Sequence, residues 1–129
     1  MKGGEKRRVV VFGIFDEVHE GHRFLFEQAK QHGDELIAIV GRDSFVREFK
    51  HKEPKHSEQE RVKMVREEPL IDQVVLSDEM PSTYGVLEEI DPDVICLGYD
   101  QDALEKDVRE WMRRRGVSIP LHRARKLSP

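Results

Sequence analysis

Five short apolar runs bounded by turn residues recur along the chain: Arg8 to Phe12, Glu35 to Val40, Gln73 to Leu76, Val94 to Leu97 and Val117 to Leu121. A strand with one wet face alternates apolar and polar residues, whereas one that is apolar throughout must be covered on both sides. Helical spacing fills the intervals. It runs from Phe24 to Gln31, through Thr83, Val86, Leu87 and Ile90, and through Leu104, Val108, Trp111 and Met112. Ser57, with Glu60 three residues on, predicts a capping box opening a helix over Glu58 to Arg66, and Gly33 and Gly116 stand where helix C-caps belong. Strands alternating with helices predict an α/β fold: a Rossmann-like, doubly wound, five-stranded parallel sheet with helices on both faces. At 129 residues this is expected to be one domain over residues 1–129, with Trp111, Met112, Phe24 and Phe26 in its core or at an interface.

In such a sheet ligands sit beyond the carboxyl ends of the strands, so the residues after each strand are the site candidates. After the first run comes Gly13-Ile14-Phe15-Asp16-Glu17-Val18-His19-Glu20-Gly21-His22. A strand, a turn and a helix start meet there, and the unpaired N–H groups of a helix N-terminus favour an anion, phosphate above all. If the helix begins near His19, His19 and His22 share one side of its first turn, where nearby phosphates would favour their charged forms. Gly13 and Gly21 would let a ligand approach the backbone. The same end of the sheet would carry Gly41-Arg42-Asp43-Ser44, Gly98-Tyr99-Asp100-Gln101 and the segment from His122 to Ser128. Lys50-His51-Lys52-Glu53-Pro54-Lys55 reads as a basic, phosphate-facing loop, Pro54 opposing a helix.

Charge and composition exclude several classes. With 22 Lys and Arg against 26 Asp and Glu, a net charge of −4 argues against a general nucleic-acid binder. The single cysteine, Cys96, rules out an internal disulfide and is expected to be a buried, inert thiol. The apolar run behind the basic stretch Met1 to Arg8 stops at Asp16, too short to span a membrane, so a cytoplasmic protein without membrane partners is expected, as a homodimer.

Gly-x-Phe-Asp-x-x-His-x-Gly-His directly after a first strand resembles the cytidylyltransferase-like nucleotidyltransferases, and the resemblance covers nearly the entire chain. It implies that Gly13, Ile14, Phe15, His19, Glu20, Gly21 and His22 hold a nucleoside triphosphate, ATP or CTP, and that His19 and His22 stabilise charge as its α-phosphorus is attacked. By the same resemblance Lys52 matches a loop lysine that reaches the phosphates, Lys50 lies nearer the acceptor, and Arg61 matches a family arginine. Leu97-Gly98-Tyr99-Asp100-Gln101, with Arg42-Asp43-Ser44, resembles the archaeal FAD synthases, implying that Gly98 and Asp100 meet the nucleotide. Glycerol-3-phosphate cytidylyltransferases instead carry a tryptophan at the position of Gln101. Their closing Arg-Thr-Glu-Gly-Ile-Ser-Thr is matched by Arg123 and Ser128, but not by Ala124, Arg125, Lys126 or Pro129. Family members continue beyond the position of Pro129 with serine-rich residues, so the chain is expected to be a piece or to have a reduced nucleotide lid.

The implied reaction is transfer of a nucleoside monophosphate to a small phosphate-bearing acceptor, releasing pyrophosphate. Catalysis would rest on positioning and charge stabilisation. His19, His22 and Lys52 would act on the phosphates, Arg123 on the leaving pyrophosphate, and Ser128 on the nucleotide. A Mg²⁺ ion would accompany the triphosphate, keeping several waters, with no protein metal ligand assigned. FMN is the favoured acceptor, with Tyr84 or Phe49 as a flat wall for its ring or simply as core or interface residues. The alternatives are a glycerol-phosphate or phosphosugar transferase, or a non-catalytic nucleotide-binding module. Asp16 reads either as a motif residue or as one that caps a helix or orients a neighbouring backbone.

Overall fold

The computed structural model describes residues 6–128; Met1 to Glu5, the start of the basic N-terminal stretch, and Pro129 lie outside them. The strands are β1 (Arg8–Gly13), β2 (Glu35–Val40), β3 (Gln73–Leu76), β4 (Val94–Leu97) and β5 (Leu121–Arg123). The helices are α1 (Glu20–Lys30), α2 (Asp43–Lys50), α3 (Glu58–Arg66), α4 (Gly85–Ile90) and α5 (Asp102–Arg115). Every strand pair is parallel, in the order β3-β2-β1-β4-β5.

Alternate residues of each strand face opposite layers, and the core divides accordingly. Val9 and Val11 pack with Leu25, Phe26 and Ala29 of α1 and Val65 of α3. Val10 and Phe12 pack with Val86, Leu87 and Ile90 of α4 and Val108, Trp111 and Met112 of α5. This is the doubly wound arrangement the apolar runs demanded. The order reverses between β1 and β4, opening a crevice at their carboxyl ends.

Three expectations need correction. The fifth strand is Leu121–Arg123 and not Val117 to Leu121; the Val117 N–H instead bonds the Met112 carbonyl in closing α5. Gly116 does end α5 in the left-handed region, at φ 68°, but Gly33 is no C-cap, since α1 ends on Gln31. A Cβ on Gly33 would stand 2.6 Å from the Arg7 carbonyl oxygen, so the glycine lets β1 enter beside it. Helix α2 was not anticipated; Phe45, Val46 and Phe49 recur at helical spacing along it. The Ser57–Glu60 capping box is present, and Cys96 is a free, buried thiol that burial pushes up to about 11.

Candidate active site

The turn from β1 into α1 is built on the two histidines. His19 is the N-cap of α1: its Nδ1 accepts from the N–H of Gly21 at 3.0 Å and of His22 at 3.4 Å, while its own N–H donates to Nδ1 of His22 at 3.3 Å. Histidines thus fill both roles of a capping box, and the rings stack with centroids 3.9 Å apart. A neutral imidazole that accepts at Nδ1 carries its proton on Nε2, so the box that starts the helix also sets both tautomers.

The glycines serve these rings. A Cβ on Gly21 would lie 2.9 Å from the His19 ring, and one on Gly13 would lie 2.5 Å from the ring of Phe15. Each glycine makes room for one of the protein's own rings, and both still line the crevice. Phe15 sits at φ 56°, costly for a side chain of its size, and is held there by burial against Phe26 and edge-on against His22. Burial, and then the neighbouring His19, push His22 down to about 4, against the Glu17 carbonyl and Asp100. In the free site burial thus keeps His22 neutral near pH 7.

The lysine loop between α2 and α3 is pinned to this turn by Asp16. Its carboxylate accepts from the backbone N–H of Lys55 at 2.8 Å and of His56 at 2.9 Å. Burial opposes the charge, but these bonds outweigh it and hold the carboxyl below its usual range. Asp16 therefore orients a neighbouring backbone. Lys55 pairs with Glu17, whereas Lys50 and Lys52 make no ion pair among the described residues and both line the crevice. Arg61 is fully buried and donates to the carbonyls of Ile14 (2.8 Å), Gly41 (2.7 Å) and His56 (3.1 Å) and to Asp43 (2.6 Å). It ties the exits of β1 and β2 to α2 and the lysine loop.

At the other side of the crevice Gln101 accepts from the Gly98 N–H at 2.7 Å and donates to the Phe12 carbonyl at 3.0 Å, joining the ends of β4 and β1. Gln28 of α1 clamps the segment after β5, accepting from the Arg125 N–H and donating to its carbonyl. Arg123 is committed elsewhere, to Asp102, Glu105 and the Tyr99 carbonyl.

These elements enclose one cleft of about 1030 Å³. Of the residues expected in the site, Gly13, Ile14, Phe15, His19, Gly21, His22, Lys50, Lys52, Gly98 and Asp100 line it, while Glu20, Arg123 and Ser128 do not. Sequence reasoning missed Phe45 and Met80, among others. The spacing of α2 would have found the first. The second follows β3, the strand whose carboxyl end had been passed over. Among the described residues no group of three His, Cys, Asp or Glu side chains is placed to hold a metal, and the Asp16 carboxylate accepts from two backbone N–H groups. The cleft can instead bind phosphates through Nε2–H donors, lysines and a helix N-terminus.

Comparison with known proteins gives a consistent result. The cytidylyltransferase-like family model matches residues 10–124. A protein of Aciduliprofundum boonei called FAD synthase is 40% identical over 121 residues, 92% of this chain and 78% of its own. One of Archaeoglobus profundus with the same name is 43% identical over 112 residues, 86% of this chain and 70% of its own. The crystal structure of the lipopolysaccharide core biosynthesis protein from Thermoplasma volcanium has a TM-score of 0.87 at 31% identity, covering 96% of this chain and 100% of that one.

Proposed function

The chain belongs to the cytidylyltransferase-like family, and on that premise we propose that it is a nucleotidyltransferase that joins FMN to the adenylyl group of ATP, forming FAD. The observation that carries the reading is the stacked His19–His22 pair at the start of α1, lining one cleft with two lysines that make no ion pair among the described residues. The FAD synthases of Aciduliprofundum and Archaeoglobus supply the acceptor.

An oxygen of the FMN phosphate forms a bond to the α-phosphorus of ATP. The bond from that phosphorus to the α–β bridging oxygen breaks, and pyrophosphate leaves with the bonding pair. The ionised acceptor needs no general base, so the protein's work is positioning and charge stabilisation. The Nε2–H groups of His19 and His22 donate to phosphate oxygens as charge moves toward the leaving group. Lys52 meets the triphosphate from its loop and Lys50 the acceptor phosphate. A divalent cation, taken to be Mg²⁺, would enter with the triphosphate and supply charge neutralisation there, with no protein ligand assigned to it. The test is pyrophosphate release with ATP and CTP against FMN, glycerol 3-phosphate and sugar phosphates. FAD formed from FMN and ATP is the expected result. Release with another acceptor but not FMN overturns the FMN assignment, and silence with every acceptor overturns the transferase reading.

A further inference from the structure

Tyr84 and Phe49 are two of the aromatic residues that line the cleft, and their surroundings separate them. The Tyr84 hydroxyl donates to Asp107 at 2.5 Å, and its ring is set edge-to-face with Phe12 (6.1 Å) and Trp111 (5.7 Å). Tyr84 is partly buried and lines the cleft with its ring already engaged by these neighbours. Phe49 is 59% exposed although it lines the cleft, while Val46, one turn earlier, buries the helix against the protein. Phe45 stands edge-to-face with Phe49 at 5.9 Å and sets its orientation. Met80, 69% exposed, also lines the cleft. Exposed apolar side chains gathered at a cleft mark a binding surface and not a fold requirement. Lys50, the next residue along α2, lines the same cleft without an ion pair among the described residues.

We propose that Phe49 is the stacking platform for the fused-ring part of the acceptor, with Met80 completing an apolar subsite and Lys50 beside it for the phosphate. The inference rests on the reading of the cleft as a nucleotidyltransferase site for a phosphate-bearing acceptor, and it makes Phe49 a determinant of acceptor choice. A planar ring on Phe49 gains offset-stacking contact that a glycerol or sugar phosphate lacks.

The experiment compares wild type, Phe49→Ala and Phe49→Tyr in steady-state formation of FAD from FMN and ATP, with melting temperatures and inhibition by lumiflavin, which has the ring but no phosphate. Phe49→Ala is expected to raise KM for FMN about tenfold, equivalent to about 1.4 kcal/mol, and to weaken lumiflavin inhibition similarly. KM for ATP and the melting temperature stay unchanged, and Phe49→Tyr restores both flavin effects. Unchanged KM for FMN in Phe49→Ala, or failure of Phe49→Tyr to restore it, overturns the platform while leaving the reaction standing. Wild type that makes no FAD yet releases pyrophosphate with another acceptor overturns the FMN reading, and the platform for a flavin ring with it.

Discussion

His19 and His22 cap α1 through Nδ1, and in the proposed reaction each has a second duty, offering Nε2–H to the triphosphate. The duties can be separated by substitution. His22→Ala is expected to lower kcat by about 10²- to 10³-fold with little change in triphosphate affinity, because its hydrogen bond strengthens as charge develops. Loss of affinity with normal turnover at saturation would assign the ring to binding alone. His22→Gln keeps an N3 acceptor for the capping box and removes the titrating ring. The His22 pKa is about 4 in the folded chain against 6.5 without burial, so between those values the unfolded chain binds the extra proton. That stability contribution is intact above pH 6.5 and is lost as pH falls toward 4. Urea midpoints measured across this window should fall more steeply for wild type than for His22→Gln; equal slopes would place the titration elsewhere.

Between α2 and α3 the chain makes no regular structure, and its course is set by a few bonds to the histidine turn. Asp16→Ala removes two backbone N–H bonds and the His56 Nδ1 contact to a carboxylate, and is expected to cost about 2 kcal/mol. Amide exchange at Lys55 and His56 should accelerate, and kcat should fall as Lys52 loses its mooring. Unchanged exchange at those two amides would show that the loop is held by other contacts. Two lysines of this loop differ in engagement. Lys55 is paired with Glu17, while Lys52 faces the cleft. Lys52→Ala should lower both affinity and turnover, and Lys55→Ala should do little; equal effects in steady-state kinetics would mean a diffuse positive field.

At the scale of the molecule, the carboxyl edge of the sheet is tied by side chains whose hydrogen bonds lie outside the backbone ladders of its helices and strands. Arg61 is the largest. Arg61→Met leaves the Asp43 carboxylate and the Ile14 and Gly41 carbonyls without its donors, and should cost about 3–5 kcal/mol, read as a lowered midpoint in urea. A loss below about 1 kcal/mol would mean that water or neighbouring groups replace the guanidinium. Gln101 makes the corresponding link between β1 and β4, across the point where the strand order reverses.

The parallel sheet, its two covering layers and the histidine turn were legible from residue order alone, because periodicity and capping act over a few neighbouring residues. The capping box of α3 and the end of α5 at Gly116 belong to the same class. Helix α2 begins after Arg42 without a side-chain cap, so no capping signal marks its beginning, and β5 is displaced because the Val117 N–H goes to α5 and Leu121–Arg123 pair with β4 instead. Tertiary structure alone decided that Arg61 is a buried tie, that Asp16 holds a loop about forty residues away in sequence, and that Arg123 is taken by Asp102 and Glu105. Each of these depends on contacts between segments far apart in the chain, where local residue spacing carries no information about distance.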